Sequence, residues 1–261
     1  MNYAKRASEV AKMKQRLKTL VKDNVSPQAY KTLTEIVDAA TSTWRLATRP
    51  FNGQRSRQDL FHSLIKKFAP IAIVETGTYL ATTTEFMAKT GLPIFSVESD
   101  PRNYGLARAR LWWHRNVHLQ RGDSRAALRT LFDGPLRGAR DHNLLIYLDA
   151  HWKEDLPLAE ELEIIFSGFP NAVVMVDDFH VPFDSGYGYD DYGAGRSLTA
   201  DYIEPIVAAH GLRVFYPSTP SAHETGARRG CVILAKKNHT GTVLTSLPLL
   251  QEAQPPSGSE K

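Results

Sequence analysis

The sequence predicts an α/β fold built on a doubly wound, mostly parallel sheet, and three observations predict it. First, short apolar runs recur at Ile71–Val74, Pro93–Val97, Val117–Leu119, Leu144–Leu148 and Ala172–Val176. They are rich in Val, Ile, Leu and Phe, as strands buried on both faces are. Second, stretches 79–90, 101–114, 124–132 and 155–167 lie between those runs, long enough for crossover helices. Right-handed crossovers then wind the chain onto both faces of one sheet. Third, two more strands near 212–216 and 231–236 are separated only by the turn-rich stretch Pro217–Gly230, which predicts a terminal hairpin.

The flanks read differently. Residues 1–55 form an N-terminal helical extension, with Val10, Met13, Leu17, Leu20 and Val21 at helical spacing. Ser26-Pro27 is a cap and first-turn pair for a second helix through residue 46, before Pro50, Asn52 and Gly53 break the chain. Residues 56–237 are the α/β domain. Residues 238–261 end in QPPSGSEK and are expected to be a flexible C-terminal tail, for want of apolar surface.

Composition bounds the function. A hydrophobic fraction of 42% supports a sizeable core. Cys231 is the one cysteine, so an intramolecular disulfide framework is excluded and a reducing compartment fits. No apolar stretch is long enough for a membrane span, and the N-terminus lacks the apolar region of a secretory signal. The expectation is a cytoplasmic protein with no transmembrane segment. Residues 1–22 carry seven basic residues against Glu9 alone. That charge reads as a solvated helix face or as a footprint for an acidic partner.

The ends of the first three strands suggest a ligand. Glu75-Thr76-Gly77-Thr78-Tyr79 leads into a helix. Its glycine permits close backbone approach, and the helix start offers free N–H groups; an ordinary tight turn would need the same glycine. Glu98 closes the second strand 21 residues after Gly77, where an acidic side chain can bind both hydroxyls of a ribose. Gly122-Asp123-Ser124 closes the third, and Asp123 either faces an adenine amino group or caps the next helix. The second and third glycines of a dinucleotide fingerprint are missing. An adenosine ligand without a diphosphate fits better than NAD.

The next two strands end in acids: Asp149-Ala150-His151-Trp152-Lys153 and Asp177-Asp178-Phe179-His180. Neighbouring strands would bring three carboxylates to the ligand-binding edge, where they repel one another unless a cation intervenes. Oxygen ligands favour Mg²⁺, Mn²⁺ or Ca²⁺.

The order Glu75-x-Gly77, Glu98, Gly122-Asp123, Asp149 and terminal hairpin resembles class I S-adenosylmethionine (SAM)-dependent methyltransferases over residues 56–237. The resemblance implies a Rossmann-like sheet of seven strands ordered 3-2-1-4-5-7-6, the last antiparallel. It implies SAM held by Glu75, Gly77, Thr78, Tyr79, Glu98, Asp123, Ser124 and Asp149. The chain departs from many members at Ala81, where they carry a second glycine. The Asp-x-His-Trp-Lys stretch is similar to catechol O-methyltransferase. The Asp177-Asp178 pair and the helix start from Pro157-Leu158 to Glu161-Leu162 are similar to cephalosporin hydroxylase-like and macrolide-sugar methyltransferases. That likeness implies O-methylation of a small-molecule or sugar hydroxyl, with Mg²⁺ or another hard divalent cation on Asp149, Asp177 and Asp178. Lys153, His151 and His180 are the catalytic candidates for taking the hydroxyl proton.

Residues 184–195, DSGYGYDDYGAG, read as a lid over the acceptor or as a surface loop. Arg228 and Arg229 either meet an anionic acceptor or solvate a hairpin tip, and Arg49–Gln54 is placed over the cofactor. Two alternatives stay open: a nucleic-acid methyltransferase, and a non-catalytic binding protein of the same fold. The basic N-terminus favours the first, whereas the slightly acidic remainder and the lack of an RNA-binding motif count against it. Homo-oligomer formation is left open.

Overall fold

The computed structural model describes residues 49–151, 155–193 and 195–253. Residues from Arg49 onward form one compact unit; the expected N-terminal helices and basic stretch lie outside the described residues. Among the described residues, no helix is long and apolar enough to cross a membrane.

The sheet contains β1 (Ala72–Thr76), β2 (Ile94–Glu98), β3 (Val117–Arg121), β4 (Leu144–Leu148), β5 (Ala172–Asp177), β6 (Leu212–Pro217), β7 (Cys231–Lys236) and β8 (Leu250–Glu252). Their order is β3-β2-β1-β4-β5-β7-β6-β8. β1 to β5 run parallel, whereas β7 is antiparallel to both β5 and β6. The expected seven-strand order is therefore present, hairpin included, with an eighth strand added at the edge.

Alternation along the strands feeds two cores, because successive side chains point to opposite faces. Val74, Ile146, Val174 and Val176 enter one core with α4 (Ser124–Asp133), α5 (Leu158–Gly168) and α6 (Ala200–His210). Ile73, Leu145, Tyr147, Val173 and Met175 enter the other with α1 (Arg55–Phe68), α2 (Thr82–Ala88) and α7 (His239–Thr245). α3 (Pro101–Leu111) packs on β2 and β3. Its N-cap is Asp100, which accepts from Asn103 N at 2.7 Å, followed by Pro101.

Two stretches correct the sequence expectation. Residues 239–252, expected to be tail, form α7 and β8. Leu244 and Leu247 are buried on the second core, and β8 pairs antiparallel with β6 through Tyr216 and Gln251. The polar end of the chain masked a short amphipathic helix before it. α6 is the other addition. Only Ile203 of its residues is fully buried, and Pro205 sits inside it, so it carries little apolar periodicity.

Glu161, on the first turn of α5, is buried. Dehydration pushes its pKa up to about 7, against the pull of the nearby Ser124 and Thr76 hydroxyls. A raised carboxyl pKa favours the folded state fully below the unfolded value and progressively less as pH rises through the folded value. Stability should therefore fall from about pH 4.5 to above pH 7. Glu161→Gln should recover on the order of 2 kcal/mol at pH 8 and nothing at pH 4, measured as denaturant midpoints at both. Equal gains at the two pH values would reject this account. Leu244→Ala, which empties the packing under α7, should cost about 2–4 kcal/mol in the same assay, whereas an inert tail would leave the midpoint unmoved.

Candidate active site

The turn after β1 is shaped by contact with the turn after β4. Gly77 has φ +82°, and a Cβ there would lie 2.1 Å from the Asp149 carbonyl oxygen and 2.8 Å from Ala150 N. Only glycine satisfies both the conformation and the approach. The amides of Gly77 and Thr78 donate to Val97 O at 3.0 and 3.2 Å, tying this turn to β2. The Thr78 and Ser96 hydroxyls lie 2.6 Å apart. Glu75 is buried and accepts from Thr84 and Ser96, each at 2.5 Å. Burial pushes its pKa up to about 7, although both hydroxyls pull the other way.

Glu98, at the end of β2, accepts from Tyr79 N at 2.6 Å through one oxygen and from Asp100 N at 2.8 Å through the other. Tyr79 itself is 52% exposed, on a backbone with φ 48°. Asp123 caps α4, accepting from Arg125 N and Ala126 N at 3.0 and 3.1 Å. The Arg125 guanidinium also bonds it, holding its carboxyl below the usual range. Arg125 further pairs with Asp155 and Glu160. Ser124 is buried next to Asp123.

The acids after β4 and β5 divide into two groups. Asp149, His151 and Asp178 offer ligand atoms that all lie within 4.8 Å of one another. His151 Nε2 is buried without a hydrogen-bond partner among the described residues, 3.8 Å from Asp149 Oδ1 and 3.8 Å from Asp190 Oδ2. Burial lowers the His151 pKa, so the neutral imidazole is favoured. Burial, with the charges of Asp178 and Glu75, holds the Asp149 carboxyl well above its ordinary range.

Asp177 is set apart from that group. It follows Val173 and Met175 on the α1 face of β5, where its carboxylate is paired with the buried guanidinium of Arg57. It also accepts from Tyr147 OH, from Asn52 Nδ2 at 3.2 Å and from Asp178 N at 2.9 Å. These four donors leave it saturated. Asp178 turns the other way because its backbone is left-handed, φ 52°. Its Oδ1 accepts from Arg229 Nε at 2.7 Å, and the same guanidinium bonds Asp190. Arg229 thus turns inward. His180 packs edge-on against Tyr189, ring centroids 4.7 Å apart, outside the ligand group. Lys153 lies outside the described residues.

Two loops lock this arrangement. Phe51 packs on Phe61, Phe86 and Tyr147, and its amide donates to Thr83 Oγ1 at 3.1 Å. This sets the 49–54 segment at the start of α2. Gln54 Nε2 donates to Arg229 O at 2.8 Å, and Arg229 N donates to Gln54 Oε1 at 2.9 Å. α1 has no cap of its own. Instead Thr225 Oγ1 accepts from Arg55 N and Glu224 Oε1 from Ser56 N. The 184–190 stretch is tied down as well. Tyr187 OH donates to Thr219 O, Asp184 accepts from Ser221, and Asp190 N donates to Asp178 O.

Sequence reasoning missed Arg57 and the inward role of Arg229. Their contacts with Asp177 and Gln54 span 120 and 175 residues, and no local spacing signals them.

No family model and no curated protein matches this chain. Solved structures do match. An O-methyltransferase from Bacillus cereus in complex with S-adenosylhomocysteine superposes with a TM-score of 0.55 at 15% identity, covering 85% of this chain and 97% of that one. A Staphylococcus aureus protein assigned as a caffeoyl-CoA O-methyltransferase gives a TM-score of 0.52 at 15% identity, covering 85% and 98%. The strand order, the antiparallel β7 and these superpositions agree: the chain has the fold of class I SAM-dependent O-methyltransferases.

Proposed function

We propose that this protein transfers the methyl group of SAM to a hydroxyl of a small molecule or sugar, at a site that also takes a divalent cation. One observation carries the reading: the close approach of Gly77 to the Asp149 backbone. That contact sets the turn expected to meet SAM directly against the Asp149–His151–Asp178 group.

In this reading Glu98 binds the ribose hydroxyls, while the Gly77–Tyr79 turn and Glu75 line the adjoining part of the site. Both Glu98 oxygens already accept backbone amides, which fixes the carboxylate before any ligand arrives; each keeps a lone pair for a hydroxyl. Asp123 and Ser124 border the adenine end, with Asp123 also serving as a helix cap. SAM supplies an electrophilic methyl, and the protein's task is to align an oxygen with it.

The fit to a cation rests on the orphaned His151 Nε2 facing two carboxylates. Asp149, Asp178 and His151 would hold the ion; Asp177 is fully engaged elsewhere. This nitrogen-containing set suits Mn²⁺ better than the all-oxygen set that favours Mg²⁺. When bound, such an ion favours the alkoxide form of an acceptor hydroxyl. Lys153, two residues beyond His151, is assigned as the group that takes the proton, and the 184–195 loop covers the acceptor.

Glu98→Ala should weaken SAM binding at least tenfold by calorimetry; an unchanged affinity would remove Glu98 from the site. The two neighbouring aspartates should respond differently. Asp178→Asn should abolish Mn²⁺ binding and turnover while leaving SAM affinity nearly unchanged. Asp177→Asn should instead cost about 3–5 kcal/mol of stability, because it strands the Arg57 charge in the interior. Chelation that leaves full activity, or loss of ion binding in neither mutant, would make the acids structural and the enzyme metal-independent.

A further inference from the structure

The ligand group carries a built-in counter-charge, and its bookkeeping points to a role for Arg229. Three carboxylates face the site: Asp149, Asp178 and Asp190. Arg57 lies nearby, but Asp177 matches its charge. Arg229 remains, bonded to both Asp178 and Asp190. With a cation in place, Asp149 ionised and His151 neutral, as metal ligands must be, the three carboxylates and Arg229 sum to two negative charges.

Arg229 is held firmly. Its backbone is bonded both ways to Gln54, and its carbonyl also accepts from Arg57. Gly188 bridges to its backbone, and a side chain at Gly188 would come within 3.2 Å of the Arg229 guanidinium. The guanidinium is therefore a fixed charge. Nε engages only one oxygen of Asp178. Asp190 is engaged at both oxygens, by Arg229 and by Tyr192 OH, so it contributes charge rather than a free ligand atom. The independent sign of a ligand is the unpartnered, buried His151 Nε2 aimed into the same space.

We propose that Arg229 is a positioning residue that sets the charge of this site. It offsets one of three carboxylates, which narrows the electrostatic advantage of a trivalent over a divalent cation, and it fixes Asp178 through one oxygen, leaving the second free for the ion. The proposal rests on the cation reading above and adds a specificity determinant to it.

The test is a ratio, which cancels losses common to both ions. Tb³⁺ affinity, from luminescence, and Mn²⁺ affinity, from electron paramagnetic resonance, are measured on the full chain. In Arg229→Met the Tb³⁺-to-Mn²⁺ ratio of association constants should rise about tenfold, because one more negative charge favours the higher-valent ion. Arg229→Lys should keep the wild-type ratio while weakening both ions, since it restores charge but not the fork. Asp190→Asn should move the ratio the opposite way, and it covers the case in which Arg229→Met does not fold. An unchanged ratio in Arg229→Met, or a shift of the same sign in Asp190→Asn, overturns the proposal while leaving cation binding intact. A wild-type protein that binds neither ion overturns the cation reading and this proposal with it.

Discussion

The buried pair of Arg57 and Asp177 joins the helix that opens the domain to the strand that ends at the site. Charges taken this far from water need good geometry and further hydrogen bonds to be tolerated. Here Asp177 receives bonds from Tyr147 and Asn52, and Arg57 also donates to the Arg229 carbonyl. The pair thus spans β4, β5, the 49–54 segment and the 217–230 loop. It also helps to aim Asp178, because the Asp178 amide itself donates to Asp177.

A division of labour between adjacent aspartates follows. Asp177 is the last residue of a two-faced strand and obeys its alternation, so it points into the α1 layer. Asp178 leaves the sheet through a left-handed backbone, a conformation that an aspartate adopts more readily than most residues. One acid anchors and the next faces the ligand group. Asp-Asp at a strand end reads as two equivalent ligands only until the strand's parity is known.

The same physics explains what was legible beforehand. The central strands are buried on both faces, so composition alone marked them, whereas their order was what the resemblance to class I methyltransferases implied. Asp149, Asp178 and His151 were visible because they sit at or just past strand ends. Glu98 stands out in the sequence by its distance from Gly77, and the structure places it at the end of β2. Arg57 was not visible, and Gln54 was read as lying over the cofactor rather than on Arg229, since both act on residues more than a hundred positions away. α7 was hidden behind the polar chain end, and α6 behind a weak apolar face.

The borrowed cap of α1 has a consequence for how the chain is made. Its first amides are satisfied by Glu224 and Thr225, 168 and 170 residues downstream. During synthesis α1 emerges early, yet the groups that terminate it are among the last of the domain to appear. Until the β6–β7 hairpin exists, the helix start is frayed and Arg57 lacks its bond to the Arg229 carbonyl. The N-terminal side of the site is therefore assembled last, when the hairpin closes over a helix that has been waiting for it.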